Sequence, residues 1–181
     1  MNIIAWFFKR DQLVPLLNGI CYGLLTALAF AGGELFHGQK SIDFSLALHI
    51  AIATPFVSSF VAFIVNYTQE RNELIRWEKQ LNITSSGRLA ATKLGKEVLL
   101  DVIKKTLLTF VFTFLGTLCT LSIIIFLPKN PLLIISFIVL LLGFLGNALS
   151  HIIYGNAIRW TVGFIIAGLL ITYIGIILHI F

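Results

Sequence analysis

The sequence predicts an all-α, polytopic membrane protein with five transmembrane helices and a cytoplasmic helical loop between spans two and three. Three observations lead there. First, 58% of the 181 residues are apolar, only 12% are charged, and the mean hydropathy is +0.97. An average soluble domain is about 45–50% apolar and about 25% charged. This chain lacks the polar side chains to cover a water-facing globule. Second, residues 12–33, 44–69, 106–128, 130–158 and 160–181 contain no Asp, Glu, Lys or Arg. Each provides the roughly 20 apolar residues that a helix rising about 1.5 Å per residue needs to cross hydrocarbon. Third, these stretches are apolar on all sides. Barrel strands would alternate, so internal pairing of the backbone in lipid requires helix.

The elements follow in order as one integrated membrane domain. Residues 1–68 hold spans one and two, 69–105 an amphipathic helical region, and 106–181 spans three to five. The N-terminus shows no small-residue cleavage site after a short apolar core, so it reads as a retained span. Gly38, Gln39, Lys40 and Ser41 separate the first two spans. Pro128, Lys129, Asn130 and Pro131 form a tight turn between the third and fourth. Tyr154, Gly155 and Asn156, with Arg159 and Trp160, mark the last interface. Trp6, Tyr67, Trp77, Tyr154 and Trp160 lie near span ends, where amphipathic rings prefer headgroups. Cys21 and Cys119 fall inside apolar runs and read as buried thiols. The GxxxG of Gly19 and Gly23, and Gly143, Gly146, Gly163, Gly168 and Gly175, suit close helix contacts, within one chain or between chains.

Orientation follows from Lys and Arg. Lys9 and Arg10 precede span one, the loop from Glu70 to Lys105 inclusive carries eight basic residues, and Arg159 adds one more. The opposite side has Lys40 and Lys129. The positive-inside rule places the N-terminus and the long loop in the cytoplasm. The net charge of +5 reads as a topology determinant and a lipid-headgroup contact, so the expected partner is the bilayer and not nucleic acid.

Within the loop, Leu74, Trp77 and Leu81 stand at the spacing of an amphipathic stripe. Thr84, Ser85, Ser86 and Gly87 are a break, and a second helical pattern runs from Arg88 into span three. Asn82 and Thr84 match a glycosylation sequon, which a cytoplasmic loop would not expose to that machinery. The acids are Glu70, Glu73, Glu78, Glu97 and Asp101. Glu70 and Glu73 share a helix face, as do Glu97 and Asp101. Paired carboxylates hold hard or borderline divalent cations through oxygen. Basic neighbours offer the other reading: Arg76 beside Glu73, Lys93 before Glu97 and Lys105 after Asp101 form solvated helix ion pairs.

At membrane depth the polar set is Asn18, Thr26, Ser58, Ser59, Thr109, Thr113, Asn147 and Ser150. Ser and Thr there bond back to the i−4 carbonyl. The Asn18 amide does so less readily. No charged residue falls in mid-span, which counts against a strong cation pathway. The four histidines share no ligand spacing, and no HExxH, CxxC, Walker, dinucleotide or Gly-x-Ser-x-Gly motif is present. The sequence gives no reason to expect an enzyme.

Asn18 and Gly19 followed by Leu24, Leu25, Thr26, Ala27, Leu28 and Ala29, then Asn66 and Tyr67 before Glu70 and Glu73, then Gly163 to Gly175 ending in Thr172, Tyr173 and Ile174, form a pattern. It resembles the vacuolar iron transporter family over most of the chain. The resemblance implies five spans, a homodimer, and a helical domain that collects a divalent cation, Fe2+ or Mn2+, for exchange against protons. It implies Glu70, Glu73 and Glu78 as metal ligands and Asn18 as the pathway position; the paired spacing of Glu97 and Asp101 adds these two as candidate ligands, and the polar set at membrane depth adds Ser58 and Ser59 as candidate pathway residues. The expected location, separate from the resemblance, is the plasma membrane of a prokaryote, as a multi-pass protein with its N-terminus in the cytoplasm. The family has aspartate where Asn18 stands, and an acid and a methionine where Ser58 and Ala62 align. The alternative expectation is a non-transporting scaffold or partner-binding subunit that has lost those pathway groups.

Overall fold

The computed structural model describes residues 10–36, 44–80, 89, 92–126 and 130–177. They form five helices: α1 (Arg10–Phe36), α2 (Phe44–Gln80), α3 (Lys93–Phe126), α4 (Pro131–Ile153) and α5 (Ala157–Ile177). All five are long and apolar enough to cross a membrane. The chain is therefore an all-α, multi-pass membrane protein, as its composition requires. The loops read at residues 38–41, 84–87 and 128–129, the sequon at Asn82, and Trp6, Lys9, Leu81 and Arg88 lie outside the described residues.

α1 is the central helix and packs on α3, α4 and α5, whereas α2 packs mainly on α3. The contact of α1 with α3 is built on glycine. A Cβ at Gly19 would stand 2.7 Å from the Thr109 carbonyl oxygen. One at Gly23 would stand 2.7 Å from both the Thr113 carbonyl oxygen and the Thr117 nitrogen. The GxxxG spacing thus serves a contact inside the chain. Lipid tails are as apolar as leucine, so burial alone does not hold helices together, and close backbone approach supplies the dispersion.

The facing side of α3 carries Thr109, Thr113, Thr117 and Thr120, all buried. Each hydroxyl donates to the carbonyl four residues earlier, at 3.1, 2.7, 2.8 and 2.7 Å. The back-bonds match the expectation for threonine in lipid and leave no buried side-chain polar atom unmatched among the described residues. Gly19 meets Thr109 and Gly23 meets Thr113 and Thr117, so the two helices run parallel. α2 runs antiparallel to α3, since Ser58 bonds to Thr113 and Glu70 to Lys105.

α4 ends on Tyr154, which takes a left-handed conformation (φ 55°, ψ 34°). The Gly155 N–H closes the turn on the Ser150 carbonyl at 2.9 Å. The Asn156 side chain then accepts from the Ile158 N–H at 3.2 Å and starts α5. The boundary therefore falls at Gly155 and Asn156, and Arg159 belongs to the first turn of α5. Cys119, read as buried, is exposed on the outer face of α3, and Cys21 is only partly buried. In lipid an outward thiol behaves as a small apolar group, which explains its place in an apolar run.

Candidate functional site

At 37 and 34 residues, α2 and α3 are about 55 and 51 Å long, against about 30 Å of hydrocarbon. The apolar stretch of α2 ends at Gln69 and that of α3 begins at Thr106. The last eleven residues of α2 and the first thirteen of α3 therefore project beyond the bilayer as a two-helix stalk. Of the region expected to be helical at 69–105, residues 69–80 and 93–105 continue the two spans without a break. Charged side chains at i and i+4 keep a helix soluble where the apolar run stops.

The inner face of the stalk on α2 is Glu70, Leu74 and Glu78, spaced by four residues. Leu74 is buried, as is Val102 on α3. Trp77 points outward, half exposed. This corrects the expected stripe: Trp77 does not share the buried face of Leu74. The register is set by charge. Lys105 Nζ lies 2.8 Å from Glu70 Oε1 and 2.8 Å from Asp101 Oδ2. Burial pulls the Lys105 ammonium down, but its hydrogen bonds to Asp101 and Glu70 and their negative charges outweigh that. The amine ends above its ordinary 10.5 and is a fixed cation at neutral pH.

At the far end, Glu78 is buried and its Oε1 accepts the Leu89 N–H at 2.6 Å. Thr92 then opens α3. Its hydroxyl donates to the Leu89 carbonyl at 2.6 Å, and its own carbonyl accepts from Lys96 N–H at 3.3 Å. Glu78 therefore ties the chain before α3 to the end of α2. Replacing it by alanine is expected to cost about 1–3 kcal/mol locally by leaving that N–H unmatched. The measurement is hydrogen exchange at the Leu89 amide, which should speed up while Val102 stays protected. Unchanged exchange at Leu89 would refute the tie.

The five expected ligands are thus distributed. Glu70 and Asp101 share Lys105, Glu78 holds a backbone N–H, and Glu73 and Glu97 face outward. Among the described residues, no three His, Cys, Asp or Glu side chains gather to hold a metal ion. The local ion pair of Asp101 with Lys105 forms as its spacing suggests. Arg76 with Glu73 and Lys93 with Glu97 form none within 4 Å. The Glu70 partner, 35 positions away, carried no local signal.

The expected pathway residues also separate. Asn18 is exposed on α1 beside Leu17, Cys21, Leu145, Leu149 and Phe164. Ser58 is buried, donating within reach of the Pro55 carbonyl and Thr113 Oγ1, both at 3.2 Å. Ser59 bonds back to the Phe56 carbonyl at 3.1 Å and lies outside the cleft between α1 and α2 that Ser58 lines.

The outer face of the stalk is basic. Arg71, Arg76, Lys79, Lys93, Lys96 and Lys104 are exposed, against Glu73 and Glu97. Arg71 and Lys96 line a recess of about 130 Å3 with Tyr67, Leu74, Gly95 and Leu99. Arg71 Nη1 donates to the Tyr67 hydroxyl at 3.3 Å. Comparison with known families, curated proteins and solved structures finds no match to the chain.

Proposed function

We propose that the protein is a non-transporting membrane scaffold, whose five helices hold a rigid basic stalk that docks an acidic protein partner. One observation carries this reading. Three of the stalk's five carboxylates are spent on internal ties, while six basic side chains face out. Inward acids and outward bases sharpen a weakly basic segment into a surface that attracts negative charge. The recess between Arg71 and Lys96 suits a carboxylate, which a guanidinium grips through two parallel hydrogen bonds.

A divalent-cation carrier would draw on the same acids. Within one chain Lys105 neutralises two of them, and fixed cations repel a metal ion. Dimerisation, a cytoplasmic stalk and a prokaryotic plasma membrane remain expectations of the same reading, with the partner approaching from the cytosol.

The test uses the full chain in nanodiscs of zwitterionic lipid and a fluorescent Glu-rich peptide. Binding is expected to weaken steeply with salt. It should fall by at least tenfold in Arg71→Glu/Lys96→Glu, a loss of about 1.4 kcal/mol or more. In parallel, proteoliposomes are expected to take up Fe2+ and Mn2+ no faster than empty vesicles. Uptake above empty vesicles that Glu70→Ala/Glu73→Ala abolishes would overturn the scaffold in favour of transport.

A further inference from the structure

The stalk recess that Arg71 and Lys96 line opens at the membrane surface. The uncharged stretch of α2 ends at Gln69, so Tyr67 stands about 3 Å inside that boundary and Arg71 about 3 Å beyond it. The headgroup layer on each side of the hydrocarbon is about 5–8 Å deep, which puts Arg71 at the level of lipid phosphates. Lys96, ten residues before the uncharged stretch of α3 begins at Thr106, lines the side away from the bilayer. The remaining walls, Leu74, Gly95, Val98 and Leu99, are apolar.

Nothing in the recess answers its charge. No Asp or Glu lines it, and among the described residues neither Arg71 nor Lys96 forms an ion pair. Arg71 and Tyr67 act as one donor group. The guanidinium donates to the phenol oxygen at 3.3 Å, and the phenol keeps its own proton, with no acceptor among the described residues. A guanidinium carries five N–H groups, so the one used on Tyr67 leaves the others for an anion. Phe63 stacks on the Tyr67 ring at 6.0 Å and 7°. Toward the hydrocarbon, the same two helix faces continue apolar and open. Phe60 and Ile64 precede Tyr67 and Arg71 on one face of α2, and Ile103 and Leu107 follow Leu99 on one face of α3, all at spacings of three or four. These four apolar side chains are exposed.

From this arrangement we infer a binding site for one anionic phospholipid, its phosphate on Arg71 and Tyr67 and its chains along Phe60, Ile64, Ile103 and Leu107. Phosphate oxygens take guanidinium N–H groups in pairs and also accept a phenol proton. Lys96 sets the preference for a net negative headgroup, since a choline ammonium would meet two unanswered cations. A second copy of the chain would bring the same cations and be repelled. A soluble anion would leave the apolar faces below the recess unused. The lipid site stands apart from partner docking, but a partner carboxylate seated on Arg71 must displace this lipid.

The experiment adds phosphatidylglycerol or phosphatidylcholine to full-length protein in a neutral detergent and counts retained lipid by native mass spectrometry. Wild type is expected to hold one phosphatidylglycerol about 10–30-fold more tightly than phosphatidylcholine. Arg71→Gln should weaken this by about fivefold, Tyr67→Phe by about 2–5-fold, and Arg71→Gln/Lys96→Gln should erase the preference. Lys79→Gln/Lys93→Gln removes the same charge elsewhere on the stalk and should change nothing. Glycerol phosphate, a headgroup without chains, should not compete at equal concentration. The proposal is overturned if the two double variants lose lipid equally, which would make the attraction diffuse. It also falls if the two lipids are retained alike, or if glycerol phosphate competes as well as the lipid, which would assign the recess to a soluble anion. The Glu-rich peptide is a separate readout. Peptide binding without a lipid preference sinks this inference alone, and a lipid preference without peptide binding sinks the docking reading alone.

Discussion

Gly23→Leu is expected to leave no monodisperse protein. The added side chain would start 2.7 Å from two backbone atoms of α3 and 2.9 Å from a third, the Gly116 carbonyl carbon. None of these is the end of a flexible side chain, so the helices themselves must part. With them go the contacts of the threonine face, for which lipid offers no hydrophobic substitute. Even Gly23→Ala should cost about 1–3 kcal/mol, the usual range for overpacking a tight contact. The measurement is the monodisperse fraction after detergent extraction and the midpoint of thermal unfolding. Gly163→Ala is the control, since a Cβ there meets nothing within 4 Å. Equal behaviour of the two alanine variants would sink the α1–α3 contact.

The second large effect belongs to Lys105→Met. Removing the ammonium leaves Glu70 and Asp101 facing each other with nothing between them. Breaking a fully buried pair costs about 3–5 kcal/mol. These carboxylates retain 27% and 49% of their side-chain exposure. Solvent screening brings the expected loss to about 1–2 kcal/mol. Because two like charges cause the damage, Glu70→Gln added to Lys105→Met should recover part of the stability. The check is denaturant unfolding of the four members of this cycle at pH 7. Strict additivity of the two substitutions would mean that Lys105 and Glu70 do not interact.

Much of this fold was legible because the bilayer imposes a coarse constraint. Uncharged runs of sufficient length must be helices, so all five spans and the helical region between the second and third could be read directly. Positions that depend on a distant partner could not. Glu70 looks like half of a local pair with Glu73 until the register of α2 against α3 sets Lys105 opposite it. Trp77 looks like a core residue by type and spacing. Glu78, one position on, is the residue that turns inward, because the Leu89 N–H needs an acceptor there. The glycines announced close contact, but not whether the neighbour was the same chain.

The parallel pairing of α1 with α3 has a consequence for synthesis. Pro15 and Thr109, which meet across that contact, are 94 positions apart in the chain. At translation rates of about 5–20 residues per second, α1 waits roughly 5–20 s for its neighbour. Over that interval its glycine face is bare in the insertion machinery or in lipid, open to any other small-residue helix that arrives first. A ribosome stalled before the third span should therefore yield a nascent chain that cross-links to strangers through Gly19 and Gly23, and releasing the stall should silence it.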